Sequence, residues 1–211
     1  MENKDLEHGC NSNLSEETKH TGMDSFESFG NDIIAYLHDF VSILSGILLV
    51  ILLLFRVVVV SGPSMKNTLF HGDYIILLSN TLYNEPKQGD IIVASKEAFK
   101  DGEPIIKRII ATEGQQVDID FNKGIVYVDG LALDEPYTRT GTNLQEGVYF
   151  PLTVDAGCVF VMGDNRNESK DSRNPEIGLI DEREILGKAI FLLFPGVSDD
   201  QSRHFNRIGV L

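Results

Sequence analysis

Residues 40–60 read FVSILSGILLVILLLFRVVVV, and the segment SGPSM follows directly at residues 61–65. The first stretch is apolar apart from two serines, one glycine and Arg56. Its 21 residues would form a helix of about 31 Å, which matches the hydrocarbon thickness of a bilayer. A soluble core helix rarely needs such a run, and a cleaved signal peptide would lie nearer the N-terminus behind a basic stretch. We therefore predict a transmembrane anchor at residues 40–60.

The end of this stretch favours a change from helix to β-strand. Arg56 is expected to snorkel to the membrane interface and to mark the exit of the helix. The four valines at residues 57–60 favour a β-strand, because β-branched side chains suit strands better than helices. This strand would lead directly to Ser64. A candidate nucleophile is thus tethered close to the membrane surface.

The residues before the anchor are strongly acidic. Residues 1–39 contain two lysines and nine carboxylates. Their net charge of −7 is half of the formal net charge of the chain, −14. This composition predicts a disordered, solvated tail. The overall acidity also excludes nucleic acid as a partner, because nucleic-acid binding depends on Lys and Arg that neutralise phosphates.

After Ser64 the chain alternates short β-branched or aromatic runs with Gly, Asp, Asn and Pro, which is typical of a β-rich domain. The predicted strands are residues 73–78, 90–94, 105–111, 116–119, 124–128, 158–162 and 186–194. A hairpin is expected between Asp120 and Asp129, because residues 121–124 carry turn formers between two such runs. We predict a mainly β fold over residues 61–211, with a small appended subdomain at about residues 118–155.

Cysteines and histidines give no sign of a disulfide or a metal site. Cys10 and Cys158 lie on opposite sides of the anchor, in different compartments, so we expect no disulfide between them. The five histidines are scattered, and no C-x-x-C or H-E-x-x-H spacing occurs. We predict neither a metal nor another cofactor.

Three short segments carry candidate chemistry. They are SMKNTL at residues 64–69, IIKRII at 105–110 and GDNRNESKDSR at 163–173. Each alone has an ordinary interpretation. A serine after Gly-Pro is commonly a turn residue, and the third segment reads as a polar turn in which Asp164 or Asp171 pairs with Arg166 or Arg173.

Lys107 makes the second segment unusual, because it lies within an apolar run. Strand alternation places it on the same face as Ile105 and Ile109. Burial there disfavours the ammonium form and would shift the lysine pKa from about 10.4 toward about 6 or 7. A neutral amine can act as the general base for the Ser64 hydroxyl. Arg108, on the opposite face, is interpreted as structural.

Two other roles follow from neighbouring polar residues. Ser169 can orient the Lys107 amine through a hydrogen bond that replaces water lost on burial. A Ser-His-Asp triad with His71 and Asp73 is the weaker alternative. The serine context does not match G-x-S-x-G, and side chains so close in one strand-turn segment rarely face the same hydroxyl.

Taken together, the three segments resemble those of bacterial type I signal peptidases, membrane-bound serine-lysine proteases that remove signal peptides from exported proteins. That family shows, in this order, S-M-x-P-T-L, G-D, K-R and G-D-N-R-x-x-S-x-D-S-R; the counterparts here are residues 64–69, 72–73, 107–108 and 163–173. The resemblance covers about residues 41–194. Asn67 and Gln115 depart from the usual proline and aspartate, and Gly62 replaces an oxyanion-hole serine of some members, as in single-anchor Gram-positive forms.

The resemblance implies a serine endopeptidase with Ser64 as nucleophile and Lys107 as general base, acting through an acyl-enzyme. Ser169 would orient the lysine, and Asp171 and Arg173 would pair to support the site. The Ser64 backbone N–H would serve in the oxyanion hole. Cleavage would follow a small-x-small motif, and the residues expected to line pockets for those small side chains are Val60, Met65, Leu69 and Ile106.

The resemblance also implies where the protein works. The anchor would cross the cell membrane once, with a cytoplasmic tail at residues 1–39 and an external catalytic domain at residues 61–211. Its partners would be the signal peptides of exported preproteins, membrane lipid and, by proximity, the secretion translocon. A bound peptide should be extended and add as a strand beside the site.

Two alternatives remain. A self-cleaving regulator of the phage-repressor type shares the serine-lysine pair, but it should be soluble and carry a DNA-binding helix-turn-helix; the anchor and the acidic tail oppose it. An inactive anchored β module that binds envelope partners is opposed by the presence of Ser64, Lys107 and Ser169.

Overall fold

The computed structural model describes residues 13–97, 99 and 102–211, with residues 13–32 described by their backbone alone. It divides into two units between Ile51 and Leu52. The first contains most of helix α1, Asn13–Leu54, whose residues 52–54 belong to the second unit. The part Ile33–Leu54 has a mean hydropathy of 2.4, is long and apolar enough to cross a membrane, and has no buried side chains. An apolar helix with that exposure is what a lipid-facing anchor requires.

The boundaries of the apolar helix differ from the prediction at both ends. The helix ends at Leu54 rather than at Val60, because residues Phe55–Val59 form strand β1 and pair with residues 74–78 of the next strand. Arg56 lies opposite Leu77 in this strand, two residues past the end of the helix, and the strand expected from the valines is formed at residues 57–59. At the other end, α1 is helical from Asn13, where the acidic tail is expected to be disordered. Residues 1–12, including Cys10, lie outside the described residues.

The second unit is β-rich, which confirms the predicted fold class. The described residues contain, after β1, the strands β2 (Tyr74–Ser79), β3 (Ile91–Ala94), β4 (Ile105–Thr112), β5 (Gln116–Asp120), β6 (Ile125–Val128), β7 (Leu131–Ala132), β8 (Leu152–Thr153), β9 (Cys158–Met162), β10 (Ile180–Asp181), β11 (Ile185–Phe194) and β12 (Gly209–Val210). All seven strands predicted between residues 73 and 194 are present within a few residues of their expected limits. Past Leu54, helical structure in the described residues consists of short 3-10 turns.

The large sheet sets the position of the site. Its eight strands run in the order β1-β2-β11-β3-β4-β9-β10, with β12 paired to β11, and each pairing is antiparallel. β3 is buried along its whole length. Its residues alternate between two hydrophobic cores, Ile91 and Val93 in one, Ile92 and Ala94 in the other. Both faces of the sheet are therefore covered where β3 meets β4.

The small sheet has the order β7-β6-β5-β8 and lies within residues 116–153. The predicted hairpin is formed by β5 and β6, with Asp120 opposite Ile125. This sheet has its own hydrogen bonding, but its apolar side chains share a core with Phe160 and Met162 of β9. The appended element is therefore joined to the large sheet by packing.

Phe160 tests that junction. It is fully buried and contacts the Phe150 ring edge-on at a centroid distance of 5.9 Å. Phe160→Ala should lower the free energy of unfolding by about 3–5 kcal/mol, because it removes a large side chain and leaves a cavity. Tyr149→Ala is the control, since Tyr149 is 86% exposed and the change should stay within about 0.5 kcal/mol. Urea unfolding followed by circular dichroism measures both; equal losses would contradict the shared core.

Candidate active site

Ser64 and Lys107 lie side by side, although they are far apart in the sequence. The Lys107 Nζ donates a hydrogen bond of 2.9 Å to the Ser64 Oγ. Lys107 is 5% exposed and sits near the start of β4, on the face that Ile105 and Ile109 share. Lys107 is paired with the buried Ile92 of β3 in the sheet register, which keeps its side chain inside the domain.

Ser64 is held by a turn between β1 and β2. The Met65 carbonyl accepts from the backbone N–H groups of Thr68 and Leu69, at 3.1 and 2.8 Å. The Ser64 carbonyl accepts from the Asn165 N–H at 2.9 Å. In the described part of the chain, no acceptor takes the Ser64 backbone N–H.

The segment at residues 163–173 is organised by one buried ion pair. Arg173 donates from Nε to Asp171 Oδ1 at 2.7 Å and from Nη2 to Oδ2 at 2.8 Å, and neither side chain is exposed. Asp171 also accepts from the Gly163 N–H at 3.0 Å, and Arg173 donates to the Ser169 carbonyl at 3.2 Å. Of the pairings left open by the sequence, the structure selects Asp171 with Arg173; Arg166 pairs with Glu135 instead.

Ser169 lies in the same segment as Asp171 and Arg173, but its hydroxyl does not make the predicted hydrogen bond to Lys107. It is 3% exposed, and its hydroxyl has no hydrogen-bond partner within the described residues. It packs closely on Gly163, where an added Cβ would lie 2.2 Å from the Ser169 Oγ and 2.5 Å from the Ser64 carbonyl oxygen. Gly163 is therefore the spacer that allows Ser169 and Ser64 to approach each other.

Asp164 connects the two halves of the site, a role that sequence reasoning missed. It is fully buried and accepts from Arg108 at 2.8 and 2.7 Å and from the Thr68 hydroxyl. Arg108 follows Lys107 in β4, and Thr68 belongs to the Ser64 turn. The Arg108 guanidinium also lies 4.1 Å from the Tyr137 ring centroid, and burial raises the pKa of the Tyr137 hydroxyl above its usual range. Arg108 pairs with Asp164, and its interpretation as structural stays a prediction.

The Ser-His-Asp alternative is not formed. His71 Nδ1 accepts from the Gly62 N–H at 3.4 Å, and Asp73 pairs with Arg207. Neither contacts the Ser64 hydroxyl. Among the described residues, no group of three His, Cys, Asp or Glu side chains is placed to hold a metal ion.

A cleft of about 400 Å³ opens beside Ser64 and Lys107. The apolar part of its wall consists of Val58, Val59, Pro63, Val93, Phe99, Pro104, Ile105 and Ile106. A larger cavity of about 590 Å³ lies elsewhere and includes neither Ser64 nor Lys107. The smaller cleft is therefore the one that adjoins the candidate chemistry.

The structure corrects three of the four predicted pocket residues. Ile106 lines the cleft, but Val60, Met65 and Leu69 do not. They are 2%, 1% and 0% exposed and belong to a hydrophobic core with Ile75 and Leu77. The apolar side chains of the turn pack into this core and so hold the turn on the sheet. Their proximity to Ser64 in sequence therefore does not place them in the cleft.

Asn67, which stands where the resembled family usually has proline, adopts a φ of 81°. This left-handed conformation is open to asparagine and glycine at low cost, whereas proline is restricted to a φ near −65°. The asparagine is thus matched to the turn as this chain folds it.

Comparisons with known proteins give one family. A family model described as "Signal peptidase, peptidase S26" matches residues 33–194. "Signal peptidase I" of Bacillus licheniformis is 35% identical over 70% of this chain and 81% of its own length. "Signal peptidase I T" of Bacillus subtilis is 35% identical over 73% and 83%, and "Probable signal peptidase I-1" of Synechocystis is 38% identical over 64% and 69%. A solved signal peptidase I of Enterococcus faecalis has a TM-score of 0.42 at 26% identity, covering 50% of this chain and 97% of that one.

Substitutions of Asn67 test the conformation of the turn. Asn67→Gly should leave the free energy of unfolding nearly unchanged, and Asn67→Ala should cost about 1–2 kcal/mol, because a Cβ without a compensating polar group disfavours this φ. Asn67→Pro should cost clearly more than Asn67→Ala, since the ring cannot reach a φ of 81°. Thermal unfolding of the three variants measures the order, and a proline variant as stable as the unmodified protein would contradict it.

Proposed function

Because the chain belongs to the peptidase S26 family of signal peptidases, and is thus a peptidase that removes signal peptides, we propose that Ser64 and Lys107 are its catalytic dyad. The observation that carries this proposal is the 2.9 Å hydrogen bond between the Lys107 Nζ and the Ser64 Oγ. A nucleophile within hydrogen-bond distance of a buried amine is the arrangement that general-base activation of a hydroxyl requires.

The dyad accounts for each proton transfer. Neutral Lys107 takes the proton of the Ser64 hydroxyl while Oγ bonds to the scissile carbonyl carbon, giving a tetrahedral oxyanion. The resulting ammonium gives that proton to the leaving amine as the C–N bond breaks, which leaves an acyl-enzyme on Ser64. Lys107 then deprotonates a water that attacks the acyl carbon, and the proton returns to the Ser64 oxygen as the acyl group leaves.

The Ser64 backbone N–H is proposed as an oxyanion-hole donor. It has no acceptor among the residues that the structure describes, and it belongs to the nucleophile itself. A preorganised donor aimed at the developing negative charge stabilises the tetrahedral intermediate more than the ground state. Ser169 and the pair of Asp171 with Arg173 would keep the surrounding loop in place.

We propose that the signal peptide binds as an added strand. β9 pairs with β4 only from Arg108 onward, so β9 leaves the edge of residues 105–107 uncovered. β1 is an edge strand of the same sheet, and Val58 and Val59 line the cleft opposite β4. An extended peptide between these strands would place its carbonyl beside Ser64 and its small side chains against the apolar wall. We propose that this wall accepts the two small side chains of a small-x-small motif.

We also propose where the enzyme is located. The apolar helix Ile33–Leu54 would anchor the chain in the cell membrane, with the acidic tail in the cytoplasm and residues 61–211 outside. A signal peptide keeps its apolar stretch in the bilayer and presents its cleavage site at the surface. Substrate, lipid and translocon would then meet the enzyme at that surface.

Removal of either dyad member tests the mechanism. Ser64→Ala and Lys107→Ala should each lower the rate of precursor cleavage by at least about 10³-fold, because the two groups act as one unit. The assay is purified full-length protein in detergent with a preprotein carrying a small-x-small site. Cys158→Ala is the control and should keep full activity, since Cys158 lies at the start of β9 outside the cleft. Full activity in either dyad variant would sink the proposal.

Gly163→Ala tests the geometry without removing a chemical group. The new Cβ would lie 2.2 Å from the Ser169 Oγ and 2.5 Å from the Ser64 carbonyl oxygen, so the turn must shift. A displacement of about 1 Å in a reacting group can cost about 100-fold in rate, so we expect kcat to fall by that order. Gly209→Ala is the control, because its Cβ meets open space, and its kcat should stay within about twofold. Equal rates for the two variants would contradict the close approach at Gly163.

A further inference from the structure

The C-terminal segment, residues 195–211, follows the range 33–194 that the family model matches. It nevertheless contacts the nucleophile turn, which we define as residues 64–73. We propose that Arg207 of this segment is a positioning residue for catalysis. Through Thr68 and Asp73 it holds the nucleophile turn in the conformation that presents Ser64 to Lys107. This inference rests on the proposed function of the dyad.

Arg207 makes three kinds of contact with the turn. Its Nη2 donates to Asp73 Oδ2 at 2.6 Å and to the Thr68 carbonyl at 3.0 Å, and its Nη1 donates to Asp73 Oδ1 at 3.2 Å. Its guanidinium carbon lies 4.4 Å from the Phe70 ring centroid. The planar fork of an arginine can satisfy a carboxylate and a carbonyl together, which a lysine cannot do with the same geometry.

Asp73 makes the contact with Arg207 consequential for the backbone of the turn. Its carboxylate is fully buried and also accepts from the N–H groups of Phe70 at 2.8 Å and Gly196 at 2.6 Å. Its backbone carbonyl accepts from the Val60 N–H at 2.8 Å, at the end of the chain segment that leads to Ser64. Removing Arg207 would leave this buried carboxylate without its cation, and the groups around it would rearrange.

Thr68 links the same contact to Lys107. Its carbonyl is bound by Arg207, whereas its hydroxyl donates to Asp164, which Arg108 holds from β4. The turn is thus tied on one side to the C-terminal segment and on the other to the residue that follows Lys107. A second tie, between Lys66 and Asp199 at 2.6 Å, is more exposed and is therefore expected to contribute less.

The location of these contacts predicts which kinetic constant changes. The cleft beside the dyad is lined by none of the residues from 68 to 73 and by none of the C-terminal segment. Loss of Arg207 should therefore disturb the distance between the Ser64 Oγ and the Lys107 Nζ more than it disturbs the surface that binds substrate. A fall in kcat with little change in KM would indicate that the dyad is disturbed and that substrate binding is not.

The test compares Arg207→Ala with a matched arginine of the same segment. Arg203 donates to the Pro195 carbonyl at 2.8 Å and lies over the Phe194 ring, outside the nucleophile turn. In full-length protein in detergent, Arg207→Ala should lower kcat by about 10–100-fold and change KM by less than about threefold. Added guanidinium should restore part of kcat. Arg203→Ala should keep kcat even where its Tm falls.

Arg207→Lys keeps the positive charge but lacks the planar guanidinium group, and its kcat should lie between those of the unmodified protein and Arg207→Ala. This variant tests the inference if Arg207→Ala does not fold. Unchanged kcat in both Arg207 variants, a change confined to KM, or an equal loss of kcat in Arg203→Ala would overturn the inference. Ser64→Ala is assayed in parallel. Activity in that variant would refute the dyad itself, whereas an inactive Ser64→Ala beside a fully active Arg207→Ala would refute only the positioning role.

Discussion

The burial of one lysine amine is the constraint on which the rest of the site depends. Lys107 is 5% exposed because β3 and β4 meet where both faces of the sheet are covered, β3 contributing to two hydrophobic cores. The serine must then be brought to the amine, since the amine cannot move out of the sheet. The hydrogen bond to Ser64 is therefore as much a result of how the sheet is packed as of the two residues that form it.

Three buried aspartates, each paired with an arginine, set the parts of the site relative to one another. Asp164 with Arg108 ties β4 to the nucleophile turn, Asp171 with Arg173 shapes the loop that carries Ser169, and Asp73 with Arg207 ties the turn to the C-terminal segment. Buried ion pairs contribute little net stability, because desolvation offsets much of their attraction. Their contribution here is directional: each aspartate also accepts a hydrogen bond from another part of the site, Thr68, Gly163 or Gly196, and so fixes it in place.

The apolar residues around the dyad belong to, or pack against, one hydrophobic core. Met65 and Leu69 lie inside this core, and Val58, Val93 and Ile106 also form part of the wall of the cleft. The core that holds the Ser64 turn is therefore continuous with the apolar side of the cleft, so a change in one is expected to affect the other.

The sequence by itself determined the apolar helix, the β-rich domain, the hairpin of β5 and β6, and the segments that carry Ser64, Lys107, Asp171 and Arg173, because these follow from local periodicity and from motifs of fixed spacing. Tertiary structure decided that the strand begins at Phe55, because pairing with β2 takes Phe55 and Arg56 into the sheet. It also decided that Val60, Met65 and Leu69 are core, that Asp164 binds Arg108, and that Arg207 reaches Asp73. Such partners lie far apart along the chain, and only the packing of the sheets brings their side chains together.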